Sequence, residues 1–137
     1  MKRILFVCKY NRFRSRVAET YFKKINKNKN IRVTSAGLIK GCLPLDKSQI
    51  KAAGEYGIKL AEKPRTMSMN FLDEQDKIII VANDIPKIVF NYPPYKKKIE
   101  IWKIPDNLKS GVEKDKKIVR MIKRKVDSLV KQLENTK

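Results

Sequence analysis

The sequence has no histidine and only two cysteines among its 137 residues. Histidine is the commonest protein ligand of transition metals, and the two cysteines are not paired at a metal-binding spacing, so no metal site is expected. Two cysteines without regular spacing also argue against a disulfide framework. A reducing, cytoplasmic environment is therefore the expected location, and we expect no cofactor.

Long apolar runs are missing as well, because no unbroken apolar stretch reaches the length of a membrane span. At the amino end, Met1-Lys2-Arg3 leads into only a short apolar stretch, which is unlike a secretory signal peptide. Association with a membrane is therefore not expected. The length is typical of one domain, so residues 1–137 are predicted to fold as a single unit with its own core.

Acidic residues are scarce, since 14 Asp and Glu stand against 33 Lys and Arg, which gives a net charge of +19. Such a charge attracts anions, including phosphate, phosphorylated substrates, nucleic acid and acidic proteins, although a general compositional bias would produce it too. The basic residues are spread through the whole chain rather than confined to one tail. This distribution favours a general electrostatic field over a dedicated nucleic-acid groove, so nucleic acid is an open but disfavoured partner.

The most informative segment is Cys8-Lys9-Tyr10-Asn11-Arg12-Phe13-Arg14-Ser15, which directly follows the apolar residues 4–7. Apolar residues behind the segment recur at helical spacing, so a buried strand, a loop and a helix are predicted in that order. Backbone N–H groups of such a loop and of the helix amino terminus can surround an oxyanion. Arg14 can grip the same anion with two parallel hydrogen bonds, and Cys8 then lies beneath the phosphorus as a nucleophile. The segment therefore predicts transfer of a phosphoryl group from a phosphoester to sulfur.

The rest of the sequence alternates predicted strands with predicted helices. After the first strand (residues 2–7), strands are predicted at residues 31–36, 77–82 and 99–104. Helices are predicted at residues 15–24, 46–57 and 112–133, with a short helix at 84–90 as a further candidate. The alternation predicts an α/β fold, a four-stranded parallel sheet with helices on both faces and the phosphate loop after the first strand. The last helix carries an apolar stripe that is predicted to be core: Ile118, Ile122, Val126, Leu129 and Leu133.

Asp106 follows the fourth predicted strand, just as Cys8 ends the first. The carboxyl ends of parallel strands meet at one edge of a sheet, and ligands bind there where the strand order reverses. Asp106 is therefore expected to approach Cys8 despite their separation in the sequence. A turn or capping role for Asp106 remains an alternative, because Pro-Asp-Asn is a strong turn signal in its own right.

In order and over essentially its whole length, the sequence resembles the low-molecular-weight protein tyrosine phosphatases. The family signature places a Cys, five residues and then Arg-Ser after the first strand, which Cys8, Asn11, Arg14 and Ser15 match. Further segments resemble the family in the same order: residues 34–37 (Thr-Ser-Ala-Gly), Gly57-Ile58, Arg65 and residues 102–106 (Trp-Lys-Ile-Pro-Asp).

The resemblance implies a role for each matching residue. Cys8 would attack phosphorus as a thiolate and become a phosphocysteine. Arg14 would hold the phosphate oxygens together with the backbone amides of the loop, which are those of Lys9, Tyr10, Asn11, Arg12, Phe13 and Ser15. Asp106 would protonate the leaving group and later activate water. Asn11 and Ser35 would brace the loop, and Ser15 would donate a hydrogen bond to the sulfur.

The implied activity is that of a protein tyrosine phosphatase, a phosphoric monoester hydrolase that acts on phosphotyrosine proteins or small aryl phosphates without a metal. Several residues depart from the family pattern. Tyr10 replaces a glycine of the loop and would be strained if that position needed positive φ. Phe13 stands where many members have a second Cys, which would leave Cys8 open to overoxidation. Asn107 follows the acid in place of the usual proline, Glu62 stands where a His often supports the loop, and Asn83 lies near a frequent Asp.

Two other functions compete with this interpretation. Arsenate reductase occurs on the same scaffold, but the thioredoxin-linked type needs two further cysteines around residues 80–90, and the sequence has none there. The other is a catalytically weak module that binds phosphate and uses its basic surfaces to contact nucleic acid or acidic proteins. Cys8 argues against it, because a pure binder needs no nucleophile.

Overall fold

The computed structural model describes residues 2–38, 45–60, 69–86, 96–106 and 111–135. Strands and helices alternate along this part of the chain. In order, the elements are β1 (Lys2–Cys8), α1 (Arg14–Ile25), β2 (Ile31–Gly37), α2 (Lys47–Gly54), α3 (Met69–Asp73), β3 (Lys77–Val81), β4 (Ile99–Trp102) and α4 (Val112–Asn135). None of the helices in these ranges is both long and apolar enough to cross a membrane.

The four strands form one parallel sheet in the order β2-β1-β3-β4. The chain first adds β2 on one side of β1 and then adds β3 on the other side, so the strand order reverses at β1. In open parallel sheets this reversal opens a crevice outside the carboxyl ends of the strands. Cys8 is the last residue of β1 and therefore lies at that crevice. The four-stranded parallel sheet predicted from the sequence is confirmed.

Helices cover both faces of the sheet, as predicted. On one face Ile4 and Phe6 of β1 pack with Phe22 of α1 and with the apolar stripe of α4. On the other face Leu5 and Val7 pack with Leu72 of α3 and with β3. Successive residues of a strand point to opposite faces, which is why β1 is buried along both sides and reads as an unbroken apolar run.

The long carboxyl-terminal helix has the predicted apolar stripe. Its buried members are Ile118, Ile122, Val126 and Leu129, while Leu133 is half-buried against the same core. These residues recur at intervals of three or four and so fall on one side of the helix. The stripe is core, as the periodicity predicts.

Some sequence-based expectations fail in detail. Ile50 and Ala53 are apolar residues at helical spacing in the second predicted helix, yet Ile50 is 54% exposed while Ala53 is buried. The fourth strand ends at Trp102 rather than at residue 104, because the Ile104 N–H turns back to the Trp102 carbonyl at 2.8 Å. Residues 84–86 are not helical. The remainder of that candidate helix lies outside the described residues, as do Cys42, Glu62, Arg65, Tyr95 and Asn107.

Candidate active site

The predicted anion loop lies between the end of β1 and the start of α1. Cys8 is 2% exposed, and α1 begins six residues later at Arg14. The residue before the helix, Phe13, makes no side-chain cap hydrogen bond, and the first turn holds no acidic residue. An amino terminus of this kind carries partial positive charge without a built-in anion, which suits it to an external one. The Phe13 side chain itself packs into the core, so only its backbone can serve the loop.

Asn11 is the hub of the loop. Its side-chain amide donates to Ser15 Oγ at 2.8 Å and to Ser35 Oγ at 2.8 Å, which joins the loop to α1 and to β2. Asn11 also has φ of 53°, a left-handed conformation that Asn adopts more readily than most residues. The left-handed position of the loop is therefore Asn11, and Tyr10 does not have the positive φ that would strain it.

The Cys8 sulfur has a hydroxyl neighbour. Ser15 Oγ lies 3.0 Å from Cys8 Sγ. Because Ser15 Oγ already accepts a hydrogen bond from Asn11, its own hydrogen can point at the sulfur. A hydroxyl donor in this position stabilises negative charge on sulfur, which is the form that attacks phosphorus.

The network continues to a carboxylate that sequence reasoning missed. Ser35 Oγ donates to Glu19 of α1, whose side chain is buried and paired with Lys23 at 2.6 Å. The chain of hydrogen bonds thus runs from Glu19 through Ser35, Asn11 and Ser15 to the sulfur. A buried, fully paired network of this kind holds its members in one arrangement. The spacing could have revealed Glu19, because it lies four residues after Ser15 on the same side of α1.

Gly37 at the end of β2 allows the loop to approach the sheet. A Cβ at this position would lie 2.5 Å from the Tyr10 carbonyl carbon and 2.7 Å from the Asn11 backbone nitrogen. Only glycine lets two backbones come this close without displacement. The next N–H along, that of Leu38, donates to the Cys8 carbonyl at 3.0 Å and ties the loop entrance to the same segment.

Arg14 is 3% exposed and is oriented by contacts with the ends of the other strands. Its Nη1 donates to the Ile104 carbonyl at 3.0 Å, and its Nη2 lies 3.0 and 3.1 Å from the two oxygens of Asp84. A guanidinium has five N–H donors. These contacts use the Nη groups and do not use Nε–H, which leaves donor capacity for a phosphate oxygen.

Asp84 is a second site residue that the sequence does not single out, although the neighbouring Asn83 lies near a frequent Asp of the family. Its side chain is 32% exposed and forms the ion pair with Arg14. The topology could have identified it, because Asp84 lies three residues past the end of β3 and therefore at the same sheet edge as Cys8.

Asp106 follows the carboxyl end of β4 and so lies at the same end of the sheet as Cys8. It is exposed and follows Ile104 by two residues, and Ile104 is held by both Arg14 and the Asn83 N–H, the latter at 3.0 Å. The segment that carries the candidate acid is thus attached to the candidate phosphate-binding arginine. An exposed carboxylate at the rim of a crevice can exchange a proton with a leaving group and with water.

Basic and aromatic side chains lie around the loop. Tyr10 is 39% exposed, with the Lys9 ammonium 5.4 Å from its ring centroid. Arg12 Nη2 donates to Asp46 Oδ1 at 2.9 Å. Asp46 is also the amino-terminal cap of α2, and it forms a capping box with Gln49. The α2 terminus therefore holds one of the loop cations in place.

The arrangement combines a buried sulfur nucleophile, a helix amino terminus, an anchored arginine and an exposed carboxylate two residues past the carbonyl that holds this arginine. These are the parts that transfer of a phosphoryl group to sulfur requires. Residues 3–137 match the model of the family described as low molecular weight phosphotyrosine protein phosphatase. No curated protein matches the sequence significantly.

Solved structures share the fold over nearly the whole chain. A low molecular weight protein tyrosine phosphatase from T. tengcongensis is 25% identical, with 96% of this chain and 99% of that chain covered and a TM-score of 0.83. The YwlE arginine phosphatase from Geobacillus stearothermophilus is 21% identical over 99% of this chain and 95% of that one, with a TM-score of 0.84. An arsenate reductase from Archaeoglobus fulgidus is 27% identical over 93% of this chain and 98% of that one, with a TM-score of 0.72.

Proposed function

Because the chain belongs to the low molecular weight phosphotyrosine protein phosphatase family, whose members hydrolyse phosphoric monoesters, we propose that it acts through a phosphocysteine on Cys8. We further propose aryl phosphoesters, phosphotyrosine among them, as its substrates. Residues 1–137 would act as one domain in this reaction. The single observation that carries the proposal is the hydrogen-bonded approach of Ser15 to the Cys8 sulfur, at 3.0 Å, inside a loop braced by Asn11.

In the first step the Cys8 thiolate attacks phosphorus, and the bond from phosphorus to the ester oxygen breaks. The leaving phenolate takes a proton from Asp106, so no charged phenolate has to depart. The non-bridging oxygens of the phosphoryl group receive hydrogen bonds from the backbone amides of residues 9–15 and from Arg14. Asp84 and the Ile104 carbonyl fix the arginine before the substrate arrives, which lowers the cost of ordering it.

In the second step water attacks the phosphorus of the phosphocysteine. The Asp106 carboxylate takes a proton from this water, the bond from phosphorus to sulfur breaks, and inorganic phosphate leaves. The sulfur departs as a thiolate, and the Ser15 hydroxyl stabilises the charge that returns to it. Each residue is thereby restored to its starting state.

The choice of aryl phosphoesters rests on the residues around the loop. The exposed ring of Tyr10 offers an apolar face on which a phenyl ring can pack. Lys9, Arg12 and Arg16 add positive charge beside the loop, with the charge of Arg12 offset by Asp46 and the Arg16 Nη1 3.4 Å from the Arg12 carbonyl oxygen. The remaining positive charge attracts a dianionic phosphoester and disfavours the cationic guanidinium of a phosphorylated arginine. Arsenate reduction of the thioredoxin-linked type requires cysteines beyond Cys8 and Cys42, and the sequence has only these two.

The test is a substrate panel with the native chain and two variants. A phosphotyrosine peptide, a phosphoarginine peptide and an aryl phosphate are offered in the presence of EDTA, and arsenate is offered with thioredoxin. We expect hydrolysis of the two aryl esters, no turnover by Cys8→Ser and a rate reduced on the order of 100-fold by Asp106→Asn, as for loss of a general acid. Preferred hydrolysis of phosphoarginine would refute the substrate assignment while leaving the mechanism intact.

A phosphate-binding module without catalysis is the alternative that this panel also addresses. If the native chain binds phosphate but hydrolyses none of the esters, the binding role replaces the enzymatic one. Salt-dependent retention of nucleic acid near physiological ionic strength would then identify its partner class.

A further inference from the structure

We propose a second oxyanion-binding site, separate from the phosphate loop, on the face of the sheet that packs against α3. It is a cavity of about 180 Å³ that the described residues Arg3, Arg32, Thr34 and Gln75 line. Its ligand is a tetrahedral oxyanion of the phosphate class, either a free ion or a phosphate group projecting from a larger molecule. The inference does not depend on the proposed reaction.

The cavity lies at the end of the sheet opposite the candidate active site. Arg3 precedes Cys8 by five residues on the same strand, which corresponds to about 16 Å along β1. Arg3 and Leu5 alternate with Ile4 along the strand and so share the face that bears α3. The two sites therefore lie at opposite ends of the strands, and an anion bound at one site does not occupy the other.

Two like charges are adjacent at this cavity. Arg3 of β1 and Arg32 of β2 are register partners in the parallel pair, so their side chains leave the same face side by side. Like charges directly opposite each other destabilise a sheet. Within the described part of the chain, Arg32 makes no ion pair or hydrogen bond, and the Arg3 guanidinium has only a 3.5 Å contact with the exposed Glu74. An oxyanion between the two guanidinium groups would remove the repulsion.

A buried hydroxyl supplies an independent observation. Thr34 Oγ1 is the one buried side-chain polar atom among the described residues that has no hydrogen-bond partner. Buried polar atoms are nearly always paired, and an exception calls for an explanation such as an ion or water. Thr34 follows Arg32 by two residues, hence on the same face of β2, and lines the same cavity. Because Oγ1 itself has almost no accessible surface, the side chain must turn about χ1 before its hydroxyl can donate to an oxyanion there.

Gln75 completes the set from the segment after α3. It is 4% exposed, and its Nε2 donates to the Phe71 carbonyl at 3.1 Å, which fixes the amide and leaves its second N–H unused by this contact. The two guanidinium groups can only donate hydrogen bonds, and the hydroxyl and the amide can each donate one as well, a combination that suits an anion rich in acceptors. The cavity is smaller than pockets for drug-sized ligands, so it takes a small ion or a terminal phosphate group.

Residue-resolved NMR titration distinguishes this site from the phosphate loop in the same sample. Inorganic phosphate is added to the full ¹⁵N-labelled chain, and the amide shifts of Arg32, Thr34 and Gln75 are followed separately from those of the loop. We expect a saturable shift of the three amides with its own dissociation constant. Arg32→Ala should weaken that binding about tenfold, as expected for loss of a charged phosphate contact. Glu74→Gln should tighten it about threefold, because the competing exposed ion pair is removed.

Two further variants keep the test decisive. Thr34→Val deletes the hydroxyl at nearly constant volume, so we expect weaker phosphate binding with no loss of stability in phosphate-free buffer. Arg124→Ala removes one exposed arginine from α4 and serves as the matched charge control, with unchanged affinity at this site. A phosphonate-bearing peptide tests the ligand's source: tighter binding than inorganic phosphate assigns the site to a phosphorylated partner, and equal binding assigns it to the free ion. Absence of saturable shifts at the three amides, or an equal effect of Arg32→Ala and Arg124→Ala, would overturn the proposal.

Discussion

Replacing Gly37 by alanine should displace the phosphate loop. The added Cβ would lie 2.5 Å from the Tyr10 carbonyl carbon, 2.9 Å from Tyr10 Cα and 2.7 Å from the Asn11 nitrogen. All three are backbone atoms of the loop, so no side-chain rotation can relieve the contact. Non-bonded carbon atoms are comfortable at about 3.5 Å or more, which means that the loop and β2 must separate by about 1 Å.

The size of the effect follows from that displacement. A misplacement of about 1 Å in a catalytic arrangement lowers the rate on the order of 100-fold. Forcing an extra methyl group into a packed site lowers the free energy of unfolding by about 1–3 kcal/mol. The loop hydrogen bonds of Asn11 to Ser15 and Ser35, both 2.8 Å, should lengthen at the same time. We therefore expect both stability and turnover to fall, with turnover affected more.

Gly54 provides the matched control. It ends α2, and a Cβ added there would have no neighbour within 4 Å. Alanine at a compatible glycine position stabilises a protein by about 0.4–1 kcal/mol, because the unfolded chain loses freedom. Urea denaturation and aryl phosphate hydrolysis are measured for native chain, Gly37→Ala and Gly54→Ala. If Gly37→Ala retains turnover within about threefold of the native rate, the reasoning from the close backbone approach is wrong.

Three further perturbations test other parts of the structure. Asp84→Asn weakens the ion pair that orients Arg14, so kcat/KM for an aryl phosphate should fall about 10- to 100-fold, the range for a charge-assisted hydrogen bond. An unchanged kcat/KM would exclude the orienting role of Asp84. Ser35→Ala leaves its donor and acceptor partners in the buried network unpaired and should lower the free energy of unfolding by about 1–3 kcal/mol in urea titrations, which a neutral result would contradict. Burial, followed by the hydrogen bond to Asp127, raises the pKa of Tyr21 from 10.0 to about 12. The neutral phenol therefore contributes its full stabilisation below about pH 10, and this contribution is lost as the pH rises towards 12. Across that pH range the free energy of unfolding should fall less for Tyr21→Phe than for the native chain. Equal falls for the two proteins would refute the role of the Tyr21 phenol.

The fold could be predicted because its signals are local. Unbroken apolar runs mark strands buried on both faces, and the stripe of the last helix has a clear period. What failed were features decided by tertiary context. The five residues of α3 are too few to show a period, and Ile50 is exposed although its spacing suits a buried face.

The candidate site was predictable where a single segment carries it. Cys8, Asn11, Arg14 and Ser15 lie within eight consecutive residues, so a strand, a loop and a helix are enough to bring them together. Asp84 is not apparent from the sequence because its partner Arg14 begins α1, 70 residues earlier, and the pairing depends on how β1 and β3 lie side by side in the sheet. The tight packing at Gly37 depends on two backbones that are distant in sequence, which no local pattern encodes.

Direct detection of phosphorus bound to the Cys8 sulfur tests the central claim. The Asp106→Asn variant is mixed with an aryl phosphate that has a good leaving group and is quenched within the first turnover, and the chain is analysed by peptide mass spectrometry. We expect the peptide containing Cys8 to carry one phosphoryl group on sulfur, and Cys8→Ser neither to release phenol at the native rate nor to form this adduct. Hydrolysis by Cys8→Ser at the native rate, or turnover without any phosphorylated Cys8, would contradict it.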